Sequence, residues 1–144
     1  TFEYDKTLSR IMKATKERFF DTSSGFFRFN DSVDAPLELP NSLAILCGLA
    51  TDDEAKKICE AISKKELGYS SLSMKCFKYD AMLQTDREKY APIILDDIRA
   101  TYEKMIPVGT VWETEIGASD FNNAGSLCHG WSAIPIYYFD ILGR

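Results

Sequence analysis

The segment 43–50, LAILCGLA, is apolar on every side, and a helix that is apolar all round has to lie in an interior. Such a helix needs one-sided neighbours to cover it, and the chain supplies them in alternation. Before it, Leu8, Ile11, Met12 and Phe19 recur at three- and four-residue spacing over 6–20, with Asp5 placed to cap the start. After it, Thr51-Asp52-Asp53-Glu54 reads as a capping box, in which the Thr hydroxyl accepts an amide three residues on while Glu54 reaches back. Ala55, Ile58, Cys59 and Ile62 then give a third helix one apolar stripe, closed by Gly68.

The pattern repeats to the end of the chain. Met74, Phe77, Ala81 and Met82 carry a fourth helix with a broader apolar surface. A second capping box, Thr85-Asp86-Arg87-Glu88, opens a fifth whose stripe is Tyr90, Ile93, Ile94, Ile98, Tyr102 and Met105. Pro92 is expected to kink it and Pro107 with Gly109 to stop it. The apolar run from Ser126 to Gly143 then predicts a buried sixth helix. Between the first two helices, Gly25 with Phe26, Phe27 and Phe29 suggests a short extended hairpin. Pro36 and Pro40 punctuate the approach to a second helix capped by Asn41 or Ser42.

Amphipathic and buried helices in strict alternation make an all-α chain of three helical hairpins, each an outer helix feeding an inner one. The outer-to-inner loops, near 22–40, 67–72 and 106–125, are the longer and more polar ones, and up-down geometry puts them on one face. Asn41, the serines at 70, 71 and 73, and His129 are expected to gather there, at inner-helix N-termini that favour anionic or hydroxyl-rich ligands.

Composition narrows the partners. With 144 residues, 45% apolar and 27% charged, the chain has the make-up of about one globular domain. A net charge of −5 and a pI near 4.9 argue against nucleic acid, whose binding calls for a clustered basic face. The pairs Lys56-Lys57 and Lys64-Lys65 alternate with acids and read as a solvated face. No run of about 18 apolar residues codes a membrane span. Cys47, Cys59, Cys76 and Cys128 form no C-x-x-C pair and are expected to be buried free thiols. With one histidine they cannot make a tetrahedral zinc set, and no other cofactor is signalled. The chain opens on TFEYDK without an initiator Met, as a piece cut from a longer protein would, and its compartment, cytoplasmic or periplasmic, is not readable.

Chemistry concentrates in TVWETEIGASDFNNAGSLCHGWSAIPIYYFDIL, residues 110–142, which holds both tryptophans and the one histidine. Trp112-Glu113 is followed sixteen residues later by His129-Gly130-Trp131. A carboxylate, an imidazole and indole faces in one place suit a sugar. Glu serves as acid or base, aromatic faces cover the C–H side of a pyranose, and His or Asn bonds its hydroxyls.

T-x-W-E followed by S-L-C-H-G-W-S-A-x-P-x-Y-x-x-x-x-I-L-G resembles the C-terminal part of the catalytic domain of bacterial α-L-rhamnosidases, and LAILCGLA with TDDEAKKI reads like the same domain. The resemblance implies three hairpins of an (α/α) six-hairpin toroid, spanning residues 1–144 as the C-terminal half of an inverting glycoside hydrolase. It implies Glu113 as the general base, with Trp112, His129, Trp131 and Asn41 contacting the sugar of a rhamnose-containing glycoside or polysaccharide. The family's general acid sits in an earlier R-x-E-R-x-G-W type run, and nothing here matches it; Glu115 and Asp120 are the nearby alternatives. The family's aromatic-rich start to the fourth helix is here SSLSMKCFKYD, which leaves open which of Lys75, Tyr79 or Asp80 faces a cavity. Other readings are a different six-hairpin glycosidase, of the unsaturated glucuronyl hydrolase or debranching type, and a non-catalytic glycan-binding or interaction module. Half a toroid is expected to be inactive and either to self-associate through uncovered apolar flanks or to compact into a closed three-hairpin bundle.

Overall fold

The computed structural model describes residues 2–32 and 35–143. Among the described residues the chain is all-α apart from one hairpin of two-residue strands and an isolated bridge between Leu37 and Gly68, and it divides into two compact units, Thr1–Tyr69 and Ser70–Arg144. No helix among the described residues is long and apolar enough to cross a membrane.

In the first unit, α1 (Phe2–Phe19) starts before Asp5, which lies inside it. Met12 and Phe19 are half-buried while Leu8 and Ile11 are exposed, so only part of the expected stripe is covered. The chain then forms the expected hairpin, β1 (Phe20–Asp21) antiparallel to β2 (Phe26–Phe27). Asp21 accepts the Ser23 amide and hydroxyl at 2.9 and 2.7 Å, and Gly25 supplies the positive φ of +76° the turn requires. Hydrogen bonds from Ser23 pull the Asp21 carboxyl down to about 2.

Helix α2 (Glu38–Leu46) begins earlier than the sequence suggests, with Leu37 at its N-cap. Pro40 falls in its first turn, where an amide has no intrahelical acceptor, so the ring costs nothing there. The Glu38 amide is instead taken by Gly68 O at 2.8 Å. Asn41 is therefore inside the helix and not a cap. It is fully buried, accepting the Phe27 amide at 2.8 Å and donating to Phe27 O and Leu37 O at 2.9 Å each. These three bonds to backbone pin the hairpin to the helix. Ala44 and Ile45 are buried, but Leu43 and Cys47 are exposed, so the helix is one-sided here.

The capping box at Thr51 and Glu54 forms in both directions, and α3 (Asp52–Ser63) buries Ala55, Ile58, Cys59 and Ile62 as its stripe requires. Glu54 also binds Lys16 at 2.7 Å, tying α1 to α3.

The second unit opens with a single 3-10 turn, Leu72–Met74, running into α4 (Lys75–Tyr102), which consists of two helical halves meeting at a kink at Asp86 (φ −160°, ψ 94°). Asp86 caps the second half by accepting the Lys89 amide at 3.1 Å, one residue later than the expected cap Thr85, whose hydroxyl donates back to Ala81 O at 2.8 Å. Pro92, six residues past this break, keeps helical angles, so the break in dihedrals falls at Asp86 and not at the proline. The break decides the packing. At 1.5 Å per residue, Lys75 and Asp97 would stand roughly 33 Å apart on a straight helix. They lie eleven residues either side of Asp86, and they meet at 3.4 Å.

Beyond α4, Glu103–Val108 is 3-10 and ends on Gly109 at φ +74°, as expected. Residues 126–129 lie outside any helix, with His129 extended; a 3-10 turn, Gly130–Ala133, precedes α5 (Ile134–Leu142), so the helix expected from Ser126 starts eight residues later. Pro135 dictates this, because a residue lacking an amide is tolerated only in the first turn. The helix is not buried all round either: Tyr138 is 1% exposed, but Ile136 is 74% and Tyr137 56%. Of the cysteines only Cys59 is buried, with Cys76 intermediate and Cys47 and Cys128 exposed.

Asn41→Ala takes the partner from three backbone groups, two of them in buried contacts, and unmade buried hydrogen bonds cost about 1–3 kcal/mol each. We expect urea unfolding of this variant to give a loss of at least about 2 kcal/mol.

Candidate active site

The two motifs of the 110–142 stretch lock onto each other through backbone. Val111 O accepts the His129 amide at 2.8 Å, Trp112 O accepts the Ser132 hydroxyl, and Glu113 O accepts the Trp131 indole N–H at 3.2 Å. Three consecutive carbonyls are thus taken by donors from 129–132. In the reverse direction the Glu113 amide donates to Ser126 O at 2.9 Å, and the Ser126 amide donates to the Glu113 carboxylate, at Oε2, at 3.1 Å. The segments run antiparallel, with a carboxylate standing in for the carbonyl that the Trp131 indole occupies.

This places the residues singled out from the sequence. Glu113 and His129 are part-exposed neighbours on paired segments. His129 lies in extended backbone, φ −137°, outside any helix. Its imidazole stacks on Trp131 with centroids 3.6 Å apart and planes 23° off parallel. The indole is still 46% exposed. The Trp112 ring packs on Gly117, where a Cβ would come within 2.7 Å of it and where φ is +73°, so only glycine fits. Trp112 Nε1, Thr114 Oγ1 and His129 Nδ1 are buried with no partner among the described residues. Asn41 belongs to the first unit, where its amide bonds the backbone of Phe27 and Leu37.

Residues not foreseen as structural form the floor. Lys75, nearly buried, reaches Glu115 at 2.8 Å, Thr101 Oγ1 at 2.7 Å and Asp97 at 3.4 Å. Asp97 also takes Lys78 at 3.3 Å and the Tyr79 hydroxyl at 2.6 Å. Burial by itself would raise the Asp97 carboxyl, but the charge on Lys78, the Tyr79 hydrogen bond and Lys75 outweigh it and hold it below the ordinary value. Burial pushes the Tyr79 phenol far up, and that of Tyr102 to about 12. The sequence signal was the SSLSMKCFKYD segment: lysines on the apolar side of a helix need buried acids, and Asp97 is the acid on the facing stripe. Glu115 anchors the 110–117 segment to this floor. Asp120 accepts the Phe121 amide at 2.8 Å and ends in a turn of left-handed residues at 121–123.

A separate apolar cavity of about 950 Å³ is lined by Ile98, Tyr102, Met105, Val111, Cys128, Phe139 and their neighbours, with none of Trp112, Glu113, His129 or Trp131 on its wall.

Neither a protein-family model nor a curated protein matches the sequence. Solved structures do match its fold, and they are rhamnosidases. One, a rhamnosidase from Klebsiella oxytoca with rhamnose bound, has a TM-score of 0.77 at 18% identity, over 99% of this chain and 29% of its own. Another, a GH78-family rhamnosidase of Bacillus sp. GL1, has a TM-score of 0.73 at 24% identity, over 90% of this chain and 15% of its own. The chain therefore has the all-α fold of part of a rhamnosidase, and it spans under a third of either protein's length.

Since folding lowers the Asp97 pKa, the buried ion network stabilises the fold fully above the unfolded value of 3.8 and ceases to do so as pH falls through the lower folded value. Thermal unfolding between pH 7 and pH 2 should show a steep acid loss in the wild type. Asp97→Asn should be less stable at neutral pH and flatter below about pH 4.

Proposed function

We propose that the chain carries the general-base half of a rhamnosidase active site, in which Glu113 draws a proton from water as that water attacks the anomeric carbon of a terminal L-rhamnoside. The observation that carries this reading is the docking of Ser126–Ser132 onto Trp112-Glu113, which brings one carboxylate, one imidazole and an exposed indole together in a chain with the fold of rhamnosidases. The bound rhamnose of the Klebsiella protein supports a sugar as the ligand.

Attack by water from the face opposite the leaving group inverts the anomeric centre, and it needs a second carboxylic acid about 6.5–9.5 Å from the base to protonate the departing oxygen. The nearby acids are otherwise engaged: Glu115 is bound to the Lys75 ammonium at 2.8 Å, and Asp120 to the Phe121 amide. The acid then comes from sequence outside these residues, and the chain by itself does not hydrolyse glycosides. Its apolar flanks, with Ile106 and Ile136 each 74% exposed, are then surfaces for the rest of a longer protein or, in the isolated chain, for a second copy.

His129 binds and Glu113 reacts. In a longer protein that contains this chain, Glu113→Gln should lower turnover of an aryl α-L-rhamnoside by orders of magnitude with the circular-dichroism melt unchanged. A silent Glu113→Gln beside an inactive Glu115→Gln would remove the assignment. His129→Ala should weaken rhamnose affinity by about 1–3 kcal/mol in calorimetry, the scale of hydrogen bonds left unmade. Unchanged affinity would make His129 a packing residue for Trp131.

A further inference from the structure

The geometry points to Ser126 as the residue that positions the Glu113 carboxylate. This rests on the reading of Glu113 as the base and adds to it a residue that the sequence offered only as a helix start.

A glutamate side chain turns about several bonds, and a base has to present one oxygen to water in a fixed direction. Among the described residues, the hydrogen bond that fixes this carboxylate is the Ser126 amide on Oε2 at 3.1 Å, which leaves Oε1 as the oxygen for water. The direction of that amide is set twice over. The same residue pair is joined by the Glu113 amide on Ser126 O at 2.9 Å. The Ser126 hydroxyl, in turn, donates to Cys128 O at 3.0 Å and accepts the Cys128 amide at 3.2 Å, closing a tight turn on its own side chain. One residue past this turn the His129 amide reaches Val111 O at 2.8 Å. Only a hydroxyl can both donate and accept here, so Ser and Thr suit the position and Ala does not. Ser126 thus acts through Glu113 and touches no reacting atom itself. The aim it confers is an alignment effect, the kind that shows in turnover more than in binding.

The test has two arms. In the 144-residue chain, the Ser126 amide proton resonance should follow the titration of Glu113 in a heteronuclear NMR pH series, and that movement should vanish in Glu113→Gln. An amide that does not respond, or responds equally in Glu113→Gln, overturns the contact without reference to any activity. In the longer protein, Ser126→Ala should lower kcat on an aryl α-L-rhamnoside about tenfold with KM within about twofold, the scale of a lost hydrogen bond, and Ser126→Thr should restore it. On a Glu113→Gln background Ser126→Ala should add nothing, since the two act as a unit. If Ser126→Ala instead raises KM at constant kcat, or costs the Glu113→Gln protein as much as the wild type, Ser126 is not a positioning residue. If Glu113→Gln itself is silent, it is the assignment of the base that fails.

Discussion

Everything specific about the second unit depends on three carbonyls. Val111, Trp112 and Glu113 sit in irregular chain between a 3-10 turn and a loop, where no helix or sheet ladder satisfies their backbone. A carbonyl turned from water and left without a partner costs about 1–3 kcal/mol, which bears on the part-buried Trp112 O more than on the exposed Glu113 O. The segment finds its donors in the amide of His129, the indole of Trp131 and the hydroxyl of Ser132. The residues that look functional are thus first the ones that hold the segment in place. Binding a sugar at Glu113 would use the part of them that the backbone does not: the imidazole, the open indole area and a carboxylate oxygen.

Joined to that arrangement through Glu115 is a buried charge network. Removing Lys75, Lys78 and Asp97 from water carries a cost that their mutual attraction and hydrogen bonds have to meet, and breaking one member strands the others. What such a network supplies is register. The two halves of α4 fold back at Asp86 so that the acid meets both lysines, and Glu115 fastens the active segment to the same lysine. A slide of either half by one turn would move Asp97 about 5 Å out of reach. The floor and the site are in this way one construction: the ion pairs index the helices, and the helices index Glu113.

The likeness to rhamnosidases at 18 and 24% identity holds at the level of helix order and hairpin closure. That is the level at which few residues are needed: a cap at Thr51, a cap at Asp86, a left-handed glycine at 109, a proline in the first turn of α5. Stripes may be refilled by any apolar side chain of similar volume, which is why a fold persists while most of its residues differ.

The sequence by itself determined the helices whose signals are local. Thr51 and Glu54 cap α3 as read, Gly109 and Gly143 end their segments, and Ala55, Ile58, Cys59 and Ile62 face inward, because capping and a 3.6-residue period act over a few residues. That the Trp112-Glu113 and His129-Trp131 segments come together was also legible, from the polar and aromatic residues gathered in 110–142. Tertiary structure decided the rest. Asn41 has the composition of a cap or a ligand, yet a hairpin fourteen residues earlier claims its amide. His129 and Ser126 read as the first turn of a helix, yet the open carbonyls at 111–113 draw them into backbone pairing and Pro135 delays the helix. Two lysines on an inward face made sense only once Asp97, from the far side of a break, was seen to meet them. Each of these depends on a partner distant in sequence, and no local period or motif encodes which distant group will need a donor.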